Sequence, residues 1–528
     1  MDLSALCENG WPCPTADEMA AIDAHAIESL GLPGRLLMES AGRAVARAIL
    51  EYRPATRRAL ILCGAGNNGG DGFVIARTLR EWDSRSDPCV VLVGDPSRMT
   101  DESRENFELL VSSGLSVTVG LDKGVEALLE DADLVVDAIF GVGLARPVDG
   151  ALAQIVAAVN GSARPVVAVD LPTGLDATGG SALGTRMRAD LIVTLGLPKL
   201  GLALQAQQGP VRVADLGLPT RAVEAVGVQQ HLWTATAARA RLPSRPHDGH
   251  KGTFGHVFVV GGSEGKTGAA ALAAEGALHS GAGLVTVGVP AGLNSIFERK
   301  LTEAMSLPLG TDGCSQLPAE ARDATLAAAQ QRDALVLGPG VGTDPSTQRL
   351  VREVVAAFAG PTVLDADALN AFAGVPEQLA GAGPRVLTPH PGEASRLLRC
   401  TTTEVQSDRA LAARMLAARS GCTVLLKGAR SLIARPDGEL RINPTGGPAL
   451  ASGGTGDVLA GLVGSLLAQG LDAFDAAALA AYVHGLAGDL QGSIGVAGEV
   501  ARSLPRAIDR LRSSTGESDG DPVLFSFP

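Results

Sequence analysis

No stretch of the 528-residue chain approaches the ~20 consecutive apolar residues that a bilayer-spanning helix requires. A membrane anchor of that kind is not expected. Positive charge is also in deficit: 44 Lys and Arg stand against 57 Asp and Glu, a net −13 with His neutral, which opposes binding to nucleic acid or to an acidic membrane surface. The seven cysteines (Cys7, Cys13, Cys63, Cys89, Cys314, Cys400, Cys422) are scattered and never spaced as CxxC. Neither a disulfide framework nor a zinc site is indicated, and a reducing compartment fits. The opening MDLSALCENGWPCP has no basic stretch and no apolar core, so a soluble, unsecreted, cytoplasmic protein is expected. Aromatic residues are scarce at 3%.

Glycine is abundant, at 66 residues, above its usual ~7% share. Such a bias suits strand-to-helix turns that approach ligands closely. With 46% hydrophobic and 19% charged residues the chain can bury real cores, and disorder is excluded. At ~150 residues per domain the length predicts about three domains, or two large ones.

From residue 58 onward, short apolar runs (RALILCG, PCVVLVG, LSVTVG, LVVDAIFG, PVVAVD, LIVTLG) alternate with helical patterns. The series restarts at HVFVVGG and continues through LVTVGVP, ALVLGPG, PTVLDAD, RVLTPH and CTVLLKG. Continuous apolar strands of this kind belong to parallel sheets covered on both faces, so the predicted fold class is α/β with two doubly wound domains. The polar stretch RLPSRPHDGHKGTFG (241–255) reads as a loop or linker, with the domain boundary slightly before it. No repeat of fixed period is found, and the residues after about 513 read as a mobile polar tail.

In the first half, Gly64, Gly66 and Gly69 satisfy GxGxxG between a strand and a helix, and Asp95 closes the next strand. That is a weak dinucleotide signal. The loop continues through Asn67, Asn68, Gly69, Gly70 and Asp71, and a carboxylate beside a pyrophosphate disfavours a dehydrogenase. Asp137 and Asp170 end two further strands at the carboxyl edge, where open α/β sheets bind ligands. Oxygen donors gathered there suit a hard cation. The plainer alternative is that the glycines form a tight turn while Asp71 and Asp137 cap helices.

Four motifs occur in order: MAAIDAHAIESLGLPGRLLMESAG, GNNGGDG, DAIFGVGLARPV and DLPTGLDA. Together they resemble the NAD(P)H-hydrate epimerase domain, a Rossmann-like three-layer sandwich, over residues 15–225. The resemblance implies substrate contacts at Asn67, Asn68, Gly69, Gly70 and Asp71, along Gly141, Val142, Gly143, Leu144, Ala145, Arg146 and Pro147, and at Asp170. It implies potassium at Asn68, Asp137 and Thr173, the last standing where that family usually has serine. The substrate's C6 hydroxyl beside a ring nitrogen is a hemiaminal, whose oxygen leaves and returns with acid–base help. Asp170 is the candidate for that role.

The strongest motif of the second half is Gly453, Gly454, Thr455, Gly456, Asp457, opening the helical run VLAGLVGSLLAQG. Free amides and the helix dipole make an anion hole there, and Asp457 stands beside it as a base for phosphoryl transfer. The plainer reading is an ordinary helix start. KGARS (Lys427, Gly428, Ala429, Arg430, Ser431) follows a strand and suits a nucleotide; Glu393 in TPHPGE suits Mg²⁺ through water. His390 is balanced between structural and ligand roles, Asp365 and Asp367 between caps and cation neighbours, and Lys251 and Lys266 read as solvated.

GGTGD with TPxxxE upstream resembles the ribokinase-like superfamily. The run HKGTFGHVFVVGGSEGKTGAA, LVLGPGVG, DADAL, LTPHPGE, KGARS and NPTGGPALASGGTGD resembles more closely the NAD(P)H-hydrate dehydratase, over residues 230–512. By that resemblance the hydrate lies near Ala269, Gly342, His390 and Asp457, and the AMP moiety near Lys427 to Ser431 and Gly456. ADP phosphorylates the hydrate hydroxyl, with Asp457 as base, and loss of phosphate restores the dihydronicotinamide. The expectation is therefore a fused repair enzyme using K⁺, Mg²⁺ and ADP, with no nucleic-acid or membrane partner and homo-oligomer formation left open. Its rivals are a small-molecule kinase of the same superfamily and a non-catalytic dinucleotide-binding module.

Overall fold

A computed structural model describes residues 9–120, 124–205, 209–381, 383–513 and 524–526. Two compact units divide between Gln230 and His231. Both are doubly wound α/β units, the fold class expected from the alternating pattern. Among the described residues no helix is long and apolar enough to cross a membrane.

The first unit contains the strands β1 (Ala59–Cys63), β2 (Cys89–Leu92), β3 (Val117–Val119), β4 (Leu134–Ala138), β5 (Val166–Val169), β6 (Leu191–Leu195) and β7 (Val211–Ala214). They lie side by side in the order β3-β2-β1-β4-β5-β6-β7, all parallel. Period-2 alternation splits each strand between two cores. Ile61, Val90, Val136 and Val167 pack on one face, and Leu60, Leu62, Val91 and Val135 on the other. The order reverses between β1 and β4, in register Ala59↔Leu134 to Cys63↔Ala138, so a crevice opens beyond their carboxyl ends. The strand Leu524–Ser526 pairs antiparallel with β7, whereas the polar tail 514–523 expected to be mobile lies outside the described residues.

The second unit contains β8 (His256–Val260), β9 (Leu284–Pro290), β10 (Met305–Leu309), β11 (Ala334–Leu337), β12 (Thr362–Leu364), β13 (Arg385–Leu387), β14 (Thr423–Leu426), β15 (Leu432–Ala434) and β16 (Leu440–Ile442). Their order is β16-β15-β14-β13-β12-β11-β8-β9-β10; β15 runs antiparallel to both β14 and β16, and all the other neighbours pair parallel. The reversal falls between β8 and β11. Helices Thr267–His279 and Thr455–Ala468 pack backbone to backbone on this sheet. A Cβ at Gly461 would stand 1.9 Å from Ala273 O, and one at Gly276 2.3 Å from Val458 O, so only glycine permits this approach. The contact holds the start of Thr455–Ala468 at the sheet's carboxyl edge. The polar stretch 241–255 belongs wholly to this unit: Arg245 donates to Gly281 O at 2.8 Å and lies 3.9 Å over the Phe254 ring.

Candidate active sites

In the first unit, β1 turns through Gly64–Gly66 into the helix Asn67–Trp82, which puts Asn67 and Asn68 on its first turn. A cavity of about 510 Å³ lies at this edge, lined among others by Asn67, Asn68, Asp71, Asp170 and Lys199. Asn67 Oδ1 accepts from Thr100 at 2.5 Å, while the buried Asn68 Nδ2 has no partner among the described residues. Asp170, just past β5, adopts the left-handed region at φ 66°. A non-glycine residue held there costs about 1–3 kcal/mol, which its surroundings must offset.

Those surroundings are specific. Asp170 Oδ1 accepts from Leu195 N–H at 3.1 Å, from Thr194 Oγ1 at 3.3 Å and from the Lys199 ammonium. Lys199 is 1% exposed and also donates to Leu195 O at 2.8 Å. The second oxygen, Oδ2, faces the loop after β4: a Cβ at Gly141 would lie 2.8 Å from it and 3.1 Å from Asn68 Oδ1. One oxygen of Asp170 is thus anchored and the other is presented. Burial pushes the Asp23 carboxyl up to about 6, with Lys199 opposing and Asp170 adding. Burial holds Asp71 well above the ordinary range, aided by Asp170.

Asp137 is fully buried at the end of β4 and does not line the cavity. Its oxygens accept from Thr173 N–H at 2.7 Å and Thr173 Oγ1 at 2.6 Å. Burial raises it to about 6 against those bonds. Among the other residues named from the sequence, Gly141, Val142 and Gly143 line the cavity. Leu144 packs into the core, and Ala145, Arg146 and Pro147 are exposed. Gly69 and Gly70 are buried in helix packing: a Cβ at Gly69 would stand 1.8 Å from Gly64 O.

In the second unit, Asp457 lies on the first turn of Thr455–Ala468, after the left-handed Gly454. The Thr455 hydroxyl reaches Leu450 O at 2.9 Å and Ser452 O at 3.0 Å, which fixes the turn, and Gly453 faces open space. Lys427, just beyond β14, donates to Asp365 Oδ1 at 2.8 Å and stands 3.9 Å from Glu393; a Cβ at Gly456 would come 3.3 Å from its nitrogen. Burial disfavours the Lys427 charge, but Asp365 and Glu393 outweigh it and raise its pKa. Burial, with Asp365 adding, pushes Asp457 up to about 7 while Lys427 opposes.

His390 caps the helix Pro391–Leu398: its Nδ1 accepts from Gly392 N–H at 3.0 Å, and Glu393 Oε2 accepts the His390 N–H at 2.8 Å. Burial lowers the His390 pKa. Asp367 binds Gly342 N–H and Lys266, both at 3.0 Å, so Lys266 is ion-paired as well as exposed. Ala269 lies beside the same loop, 3.0 Å from a Cβ placed on Gly340. In the turn Lys427–Ser431, Ser431 donates to Gly428 O at 3.0 Å, and Arg409 donates to Ala429 O while its Nε and Nη2 lack partners among the described residues.

Sequence reasoning missed Lys199, Asp23 and Thr388. Lys199 follows β6 in GLPKLG, a strand-end loop at the ligand edge, and that position was the available signal. Asp23 sits on a helix ahead of the first strand, and no local pattern says what it faces. Thr388 donates to Asp365 Oδ1 at 2.7 Å from the loop after β13.

Residues 257–508 match the NAD(P)H-hydrate dehydratase family, and residues 34–201 match the family described as YjeF-related protein N-terminus. The Bifunctional NAD(P)H-hydrate repair enzyme Nnr of Moorella thermoacetica is 44% identical over 487 residues, 90% of this chain and 91% of that one. Its namesake from Salinibacter ruber is 40% identical over 515 residues, covering 93% and 94%. A solved structure of the ADP/ATP-dependent NAD(P)H-hydrate dehydratase from Bacillus subtilis is 33% identical, with a TM-score of 0.46 over 53% of this chain and 98% of that one. Since relatives at this identity align across both units and nearly their full length, the chain belongs to the family of bifunctional NAD(P)H-hydrate repair enzymes.

Proposed function

We propose that the first unit interconverts the R and S hydrates of NADH or NADPH, and that the second dehydrates the S form at the expense of ADP. The second reaction rests on one juxtaposition: Asp457 on the first turn of a helix whose free amides border an open glycine turn, with Lys427 beside it. In this reading the substrate's C6 oxygen attacks the β-phosphorus of ADP and gives its proton to Asp457. The bond from phosphorus to AMP breaks, and the amides and Lys427 stabilise the transferred charge. The C6–O bond then breaks with loss of a C5 proton, which releases phosphate and restores the ring double bond. The unpartnered Arg409 nitrogens beside Ala429 support an anionic nucleotide at Lys427, Gly428, Ala429, Arg430, Ser431 and Gly456. Ala269, Gly342 and His390 then face the hydrate.

In the first unit the presented oxygen of Asp170 accepts a proton from the oxygen that returns to C6, and Lys199 holds that carboxylate in place. Asn67, Asn68, Asp71 and the loop from Gly141 hold the substrate. The residues fit a potassium ion: Asp137 is a fully buried carboxylate with no basic side chain paired to it among the described residues, and the Thr173 hydroxyl oxygen lies 2.6 Å from it. Asn68, Asp137 and Thr173 would hold that ion, which supplies a positive charge beside the substrate loop. Mg²⁺ keeps several waters and travels with nucleotide phosphates, and Glu393 would reach it through water.

The test incubates mixed NADH hydrate epimers with ADP, Mg²⁺ and K⁺ and follows dihydronicotinamide absorbance. Complete recovery at catalysed rates is expected. A second phase limited by spontaneous epimerisation would retire the first assignment, and a stable phosphorylated product would retire the second.

A further inference from the structure

We propose that Asp23 is a catalytic residue of the first site, the acid that protonates the departing C6 hydroxyl of the hydrate while Asp170 Oδ2 serves as base. This deepens the epimerase reading and rests on it. Asp23 lies on the helix Ala16–Ala24, outside the residues matched by the family at 34–201. Its carboxyl lines the same cavity as Asp170 and has no hydrogen-bond partner among the described residues.

The other candidates are spoken for by their geometry. Lys199 spends its protons on Asp170 Oδ1, Leu195 O and Thr194 Oγ1, so it positions Asp170 rather than serving substrate. Burial, aided by Asp170, holds Asp71 well above the ordinary carboxylate range, which makes it a reluctant proton donor. Asp23, at about 6, exchanges its proton near working pH, as an acid that must be reloaded each turnover requires. The charged groups facing it are Asp71 of Asn67–Trp82, Glu102 of Asp101–Ser112, Asp170 after β5 and Lys199 after β6. Four carboxyl groups, counting Asp23, thus border one ammonium, a surplus that stabilises a cationic ring.

The step balances. The Asp23 proton joins the hydroxyl, the C6–O bond breaks, water leaves, and the N1 lone pair forms a C6=N1 iminium. Water then adds to the opposite face and gives its proton to Asp170. That proton returns to Asp23 through solvent in the cavity.

The experiment uses the full-length chain with purified R hydrate and no ADP, and follows the S hydrate by chromatography. Asp23→Asn should lower kcat for epimerisation at least ~100-fold, the usual span for a lost general acid. KM should hold within about threefold, as uniform binding is untouched. Dehydration of S hydrate by the second unit should be unchanged. Wild-type kcat should fall as pH rises above about 6, and Asp23→Glu should retain this limb at a displaced pH, which a merely structural role would not produce. Epimerisation by Asp23→Asn within twofold of wild type would overturn the proposal, as would an Asp23→Glu profile without that limb. A wild-type enzyme that does not interconvert epimers would instead overturn the epimerase reading itself.

Discussion

Lys427 gives its ammonium to Asp365 at 2.8 Å, and Asp457, the residue on the helix's first turn, has no ion-pair partner among the described residues. The cation therefore tunes Asp457 from a distance while a different carboxylate holds it in place. Burial dominates, and the Asp457 carboxyl rises to about 7.

A base must be deprotonated to work. Dehydration kcat/KM should thus fall about tenfold per pH unit below 7. Lys427→Met removes the charge that opposes the rise, so the limb should move to higher pH in a pH–rate profile.

Asp457→Asn should abolish recovery of dihydronicotinamide absorbance while leaving R-to-S conversion intact. Equilibrium titration with ADP should still detect nucleotide binding, because the amides and Lys427 remain.

The same substitution should stabilise the fold. A carboxyl lifted from 3.8 to about 7 favours folding only while protonated, so its contribution is full below pH 3.8 and lost as pH rises through 7. Asp457→Asn should gain roughly 1–2 kcal/mol at pH 8 after allowance for partial exposure, and nothing near pH 4. Denaturant melts at the two pH values check it.

Lys199→Met should cost about 3–5 kcal/mol, because it leaves the buried Asp170 carboxylate unpaired at its left-handed position. Epimerisation should disappear with it. Lys199→Met with Asp170→Asn should recover much of the stability and none of the activity, measured by thermal melts and epimer chromatography.

Thr173→Val deletes the hydroxyl bound to Asp137 at 2.6 Å and should cost about 1–3 kcal/mol. Thr173→Ser should cost far less. Exchange of potassium for tetramethylammonium should slow epimerisation in the wild type and leave dehydration unchanged.

The paired doubly wound units were legible because strands buried on both faces, such as Ala59–Cys63 and Ala334–Leu337, are apolar throughout. The carboxyl-edge positions of Asp170, Lys427 and Asp457 were legible too, since each follows a strand or opens a glycine-flanked helix. What the motifs did not disclose is the sorting of neighbours. Within GNNGGDG, Asn67, Asn68 and Asp71 reach the cavity while Gly69 and Gly70 pack the helix, and within GVGLARP only the first three residues do. Local patterns carry periodicity, and periodicity reports which face is buried, not what that face meets.

The amino-acid order alone therefore determined the architecture, the strand-end carboxylates and glycine turns at the sheet edges, and the family resemblance, because burial patterns and glycine turns are local. Tertiary structure decided that Lys199 anchors one oxygen of Asp170, that Asp23 joins the same cavity from a helix 147 positions earlier in the chain, and that Asp365 rather than Asp457 binds Lys427. Those pairings join residues from separate elements, and the Coulomb and desolvation energies that set their protonation exist only once the chain has brought them together.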